Sequence, residues 1–168
     1  MSDEQLARSL RFERAAQALG YDFGGEIRIG GHYVSLIQHG DVIEISGQIP
    51  LVGSEVVVTG RVGDAVTVTQ AQTAAKVCVM RAVALLERHL QAQGGLDAVA
   101  QILRLNVYVQ SAADFTQQSE VADGASDLLY EIFGEQGVHT RNSVGVYQLP
   151  KNAAVELDLR VAVRSLHG

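Results

Sequence analysis

The sequence predicts an α+β domain with helices covering one side of its sheet, and three observations lead there. Residues 102–109 alternate, with Leu103, Leu105, Val107 and Val109 on one side and Arg104, Asn106 and Tyr108 on the other, the pattern of a half-buried strand. From residue 70 to about 91 an apolar stripe recurs at helical spacing and is rich in alanine, which suits close packing against a sheet. The elements run as helix, strands, helix, strand, helix and two strands, and strands with one polar face belong to a sheet covered on one side.

In chain order, residues 3–19 read as a short helix: Leu6 and Leu10 are four apart, Phe12, Ala16 and Leu19 continue the spacing, and Gly20 ends it. Gly24, Gly25, Gly30 and Gly31 punctuate the next stretch. Strands near 33–38 and 42–46 flank His39-Gly40-Asp41, a gap that suits a hairpin. Residues 56–59 and 65–68 are short extended pieces. The long helix has Thr69 and Gln72 as a capping box, and Ala71, Ala75, Val79, Val83, Leu86 and Leu90 as its main stripe. Gly94-Gly95 stops it. Asp114 with Gln117 caps another helix, with Phe115, Ala122, Ala125, Leu129 and Ile132 inward. Strands at 143–147 and 155–163 close the chain on either side of Leu149-Pro150-Lys151.

The 168 residues fit one domain, without a linker, repeat or low-complexity stretch. Composition excludes several classes. The net charge is −6, with only two lysines, Lys76 and Lys151, and scattered arginines, which argues against a nucleic-acid partner. A single cysteine, Cys78, forbids an internal disulfide, fits a reducing compartment and sits on the apolar face of the long helix as a core residue. The first residues are acidic where a secretory leader would be basic, and no apolar run is long enough to span a membrane. A cytoplasmic location and no membrane partner are expected. His32, His39, His89, His139 and His167 have no metal-ligand spacing, so no metal is expected. Dinucleotide, Walker and nucleophile-elbow motifs do not occur.

Chemistry concentrates in the last two strands. By strand parity Val144 and Val146 share one side, and Arg141, Ser143, Gly145 and Tyr147 share the other. In 155–163 the apolar set is Val155, Leu157, Leu159, Val161 and Val163, opposite Glu156, Asp158 and Arg160. Two readings are open on this pattern: a solvated sheet face with cross-strand ion pairs, or a pocket. In the pocket, the Arg141 fork holds an anionic ligand and Glu156 or Asp158 handles protons. Glu120, Asp123 and Asp127 read as a solvated helix face.

The run Arg141-Asn142-Ser143-Val144-Gly145-Val146-Tyr147-Gln148-Leu149-Pro150, followed by Val155-Glu156-Leu157-Asp158, resembles the C-terminal signature of the YjgF (RidA, reactive-intermediate deaminase) family. Upstream, Ser46-Gly47-Gln48-Ile49-Pro50 resembles its first-hairpin motif, and Tyr33 stands where the family has its pocket tyrosine. The likeness covers roughly residues 27–164, and the stretch from Val121 through Phe133-Gly134 to His139 looks like a long-form branch of the family.

The resemblance implies a chorismate-mutase-like fold, a mixed sheet covered on one face by two helices. Residues 1–25 would form an extra N-terminal helical extension, and 26–168 a single YjgF-like domain. It also implies a homotrimer with ligand pockets between subunits, and hydrolysis of reactive imines or enamines to keto acids and ammonia without a metal or organic cofactor. By the same likeness Arg141 would clamp the carboxylate of a small metabolite, Glu156 would activate water, Tyr33 would line the pocket and help proton transfer, and Gly47 would let backbone approach the ligand. Ser143 stands where archetypal members have a cysteine, and offers a hydroxyl and an N–H. Gly145 replaces a frequent glutamate, which alters pocket charge and opens space for a bulkier ligand. His139, two residues before Arg141, is a further pocket candidate. The alternative function is a non-catalytic trimeric protein that binds small carboxylates; ribonuclease activity, attached to some relatives, sits poorly with the acidic balance.

Overall fold

The computed structural model describes residues 7–164. Residues 3–6 of the expected first helix, and His167, lie outside them. The strands are β1 (Leu36–His39), β2 (Val42–Gln48), β3 (Leu51–Val52), β4 (Glu55–Val56), β5 (Val99–Gln110), β6 (Thr140–Val146) and β7 (Val155–Val163). The helices are α1 (Arg8–Leu19), α2 (Val68–His89) and α3 (Gln118–Phe133). Five strands form one sheet in the order β1-β2-β7-β5-β6, and β3-β4 form a separate ribbon. The β5–β6 pair is parallel, with α3 as its crossover, and the other pairs of the main sheet are antiparallel. The fold is therefore α+β with a mixed sheet.

One face of the sheet is dry. Leu105, Val107 and Val109 of β5, and Val155, Leu157, Leu159 and Val161 of β7, are buried beneath α2 and α3. The alanine stripe fits α2 closely into this layer: Ala71, Ala74, Ala75 and Ala82 are fully buried. At Gly124 of α3, a Cβ would lie 2.7 Å from the Gln72 carbonyl oxygen of α2, so the two helices touch backbone to side-chain root. Cys78 sits in this core, and burial pushes its thiol pKa well up.

The other face is polar, and no helix among the described residues covers it. Asn106 Nδ2 donates to Asp158 Oδ1 (2.8 Å), the Tyr108 hydroxyl donates to Asp158 Oδ2 (3.0 Å), and Arg160 pairs with Glu44 (2.9 Å). Ile37 and Val144 lie there 60% and 45% exposed, apolar side chains without a covering layer.

Several boundaries differ from the expectation. The capping box of α2 is Thr67 with Gln70, not Thr69 with Gln72: Thr67 Oγ1 accepts from the Gln70 N–H (3.2 Å) and Gln70 Oε1 from the Thr67 N–H (2.9 Å). Both pairs have the required spacing; at the earlier one the flanking positions, Val66 and Ala71, are both buried apolar residues, the pattern of a hydrophobic staple. Residues 65–68 are thus the turn into the helix, and of 56–59 only Val56 belongs to a named strand. The N-cap of α3 is Gln117, with no side-chain cap from Asp114. Helix α1 packs on α2 and α3 rather than on the sheet. Its buried Arg8 donates to the carbonyls of Leu96 (3.0 Å) and Val99 (2.7 Å) and to Gln136 (2.8 Å).

Candidate functional site

Register decides where the candidate residues point. In β6, Arg141, Ser143 and Gly145 lie beside Leu105, Val107 and Val109, so they face the helices. Glu156 lies beside Tyr108 and Asp158 beside Asn106, on the uncovered face. The pocket reading has Arg141 hold an anionic ligand while Glu156 or Asp158 handles protons; within one protomer Arg141 lies on one face of the sheet and both carboxylates on the other. Two strand spacings also separate β6 from β7, about 10 Å. The strand's valines suggested the opposite polarity, because apolar parity usually marks the core. Here β6 is an edge strand whose inner side meets polar residues of α3.

Around Arg141 those residues form a cradle. Nη1 donates to Asp123 Oδ1 (2.9 Å) and to Ser126 Oγ (2.9 Å), and Nη2 donates to Ser119 Oγ (3.1 Å) and the Ser119 carbonyl (3.3 Å). Asp123 is thus a partner of Arg141 rather than only a solvated residue. His139 completes the network: its Nδ1 lies 2.6 Å from the Gly137 carbonyl, its Nε2 2.9 Å from Ser126 Oγ, and its ring stacks on Tyr130. A proton on Nδ1 satisfies the carbonyl and leaves Nε2 to accept from Ser126. Burial, and secondarily the Arg141 charge, lower the His139 pKa despite the opposing bond to Gly137, which favours the neutral ring. Ser143 is half-buried on this side, and a Cβ at Gly145 would meet Gln118 Nε2 at 2.8 Å and Ser111 Oγ at 3.1 Å.

Glu156 belongs to a different place, a cleft of about 470 Å³. A bulge between Ile45 and Gln48 interrupts the β2–β7 ladder and turns Gly47 toward β7. A Cβ on Gly47 would lie 2.1 Å from Glu156 Oε1, so glycine there is what admits the carboxylate. Tyr33, Gly47 and Glu156 all line this cleft, together with Gln48, Arg81 and Lys151. Burial, and then the nearby Asp158 charge, raise the Glu156 pKa. A half-buried carboxylate of raised pKa facing an open cleft is a competent general base for water. The sequence-predicted residues thus fall into two sets, Tyr33, Gly47 and Glu156 in the cleft, and Arg141, Ser143 and His139 across the sheet.

Sequence reasoning missed Arg81, Lys151 and the Asp123–Ser126–Ser119 cradle. Arg81 is a lone charge within the buried stretch of α2, and the cradle is assembled across 15 to 22 residues of chain. Among the described residues no three His, Cys, Asp or Glu side chains group to hold a metal, and no helix is long and apolar enough to cross a membrane.

Comparison with known proteins joins the two motifs to one lineage. The family profile described as "YjgF/chorismate_mutase-like, putative endoribonuclease" matches residues 16–160. The chain is 41% identical over 150 residues to "Protein TCP17" of Trypanosoma cruzi, covering 89% of this chain and 92% of that one. It is 28% identical over 134 residues to a 2-iminobutanoate/2-iminopropanoate deaminase of Dermatophagoides farinae, covering 79% and 87%. The crystal structure of Atu1372, a protein of unknown function from Agrobacterium tumefaciens, superposes with a TM-score of 0.80 at 34% identity, covering 93% of this chain and 94% of that one. The chain belongs to the YjgF family.

Proposed function

We propose that the protein hydrolyses small carboxylate-bearing imines or enamines, in pockets formed between the subunits of a homotrimer. The observation that carries this reading is the division of the site: a carboxylate anchor and a base sit on opposite faces of one protomer. A small substrate touches both only if Arg141 comes from one copy and Glu156 from another. Family members are commonly trimeric, and the uncovered sheet face with Ile37 and Val144 exposed supports association through it. The mite relative's deaminase activity supports the choice of reaction.

The chemistry needs little more than orientation. Arg141, pre-aligned by Ser119 and Ser126, exchanges its ion pair with the exposed Asp123 for the substrate carboxylate. Glu156 takes a proton from water as the oxygen adds to the imine carbon, and the C=N π pair moves to nitrogen, which is protonated. The C–N bond of the carbinolamine then breaks, ammonia leaves and the C=O bond forms. The balance is imine plus water giving keto acid plus ammonia. The Tyr33 hydroxyl, in the same cleft, carries protons between these groups.

The test generates 2-iminopropanoate and 2-iminobutanoate in situ, with an amino-acid oxidase or a threonine dehydratase, and follows keto-acid release. Acceleration is expected, and a loss of about 100-fold or more in kcat/KM on Glu156→Gln or Arg141→Ala. No acceleration with any imine, or full activity in Arg141→Ala, would sink the reading. Ligand-induced stabilisation dependent on Arg141 without turnover would favour the non-catalytic carboxylate-binding alternative.

A further inference from the structure

The cleft that holds Glu156 is strongly cationic for a chain of net charge −6: Arg28, Arg81 and Lys151 line it, against one acid. Arg28 is exposed and already paired with Glu26 at 2.9 Å. Arg81 is different. It projects from the core helix α2, is only 6% exposed, and has no carboxylate within ion-pair distance among the described residues. Its Nε donates to Gln48 Oε1 (3.2 Å) and its Nη1 to the Leu51 carbonyl (2.5 Å), while Nη2 has no hydrogen-bond partner among the described residues. A buried guanidinium without a counter-ion is costly, and its natural complement is an anion arriving in the cleft it lines.

Lys151 has a second, independent signature. Lys151 and Asn152 both adopt left-handed backbone conformations, with φ of 56° and 57°, which non-glycine residues rarely hold. Buried Gln110 holds this turn from beneath: its Oε1 accepts from the Leu149 N–H (2.8 Å) and its Nε2 donates to Asn152 Oδ1 (2.7 Å). The strained turn sets the lysine on the cleft wall facing the same space as Arg81.

We infer that Arg81 and Lys151 bind a second carboxylate of the substrate, so that the cleft prefers imines of dicarboxylic amino acids. This rests on the imine-hydrolase reading for the reaction but not for the binding. With Arg141 of a neighbouring copy on the carboxylate next to the imine carbon, Arg81 and Lys151 take the distal one.

Thermal shift on the full chain separates the two ideas. Succinate and glutarate are expected to raise Tm more than butyrate at equal concentration, and Arg81→Met and Lys151→Gln to reduce the dicarboxylate shift to the butyrate level. Equal shifts for all three acids, or dicarboxylate shifts kept in both variants, would overturn the assignment. Lys151 is exposed, so Lys151→Gln decides the matter if Arg81→Met does not fold. In turnover, 2-iminosuccinate made in situ by aspartate oxidation is expected to exceed 2-iminopropanoate in kcat/KM by at least tenfold, a ratio that collapses in Lys151→Gln. Equal turnover of both imines overturns the dicarboxylate assignment and leaves the hydrolase reading intact. A dicarboxylate shift that needs Arg81, with no imine hydrolysed, does the reverse.

Discussion

Glu156 is poised at some cost to the fold. Its folded pKa lies above the ordinary 4.5, so between 4.5 and the folded value the native protein holds a proton that the unfolded chain gives up. Stability from this group is present below pH 4.5 and is lost as pH rises through the folded value. Glu156→Gln is therefore expected to raise Tm at pH 8 relative to the parent, with the difference shrinking toward pH 4; a lower Tm at pH 8 would contradict it. His139 has the opposite sign. Its pKa is lowered from 6.5, so its contribution is present above 6.5 and is lost as pH falls through the folded value. Protonation also sets a cation against Arg141 and removes the acceptor for Ser126. Melting curves from pH 7.5 to 5 are expected to decline less steeply in His139→Gln than in the parent. Gly47→Ala probes the close approach alone: Gly47 has no positive φ, and its new Cβ meets the mobile end of Glu156. Activity is expected to fall at least about tenfold while stability changes by less than ~1 kcal/mol, because the carboxylate swings away and the fold does not move. None of these effects was legible from residue type, since each depends on burial or on a neighbour that the fold brings close.

Among the elements, the α2–α3 contact is tightly constrained. Gly124 faces backbone atoms of Gln72, which cannot rotate away as a side chain would. Gly124→Val is expected to cost about 2 kcal/mol by overpacking, lowering Tm by about 4–8 °C; an unchanged Tm would show that the helices separate freely. Elements with a strong period were legible: β7 spans 155–163 as read, and the stripe on α2 is fully buried from Ala71 to Val83. Less was legible where two local solutions compete. Thr67 and Thr69 each head a capping box with a glutamine three residues on, and the buried Val66 and Ala71 flank the earlier one. In β6 the parity itself was legible, but which side meets the helices was not. An edge strand has one strand neighbour, and its inner side can be polar when a helix supplies polar partners.

At the scale of the whole molecule, the divided site makes a prediction that a one-chain site does not. If pockets form between copies, Arg141→Ala and Glu156→Gln chains are each inactive alone. Co-folded at equal amounts, they are expected to recover about a quarter of parental activity, because some interfaces receive both intact residues. Failure to complement, or light scattering near 18.0 kDa rather than about three times that mass, would remove the inter-subunit pocket.

The amino-acid order alone determined the α+β class, the core stripes and the identity of the family motifs, because these follow from short-range periodicity and local residue patterns. Composition also set the acidic balance, against which a cationic cleft stands out. Tertiary structure decided the rest. Register placed Arg141 and Glu156 on opposite faces, and a bulge brought Gly47 against Glu156. Packing buries Arg81 at the cleft wall without a counter-ion among the described residues. These are contacts between residues far apart in the chain, and their energies depend on depth, facing and spacing that no local pattern records.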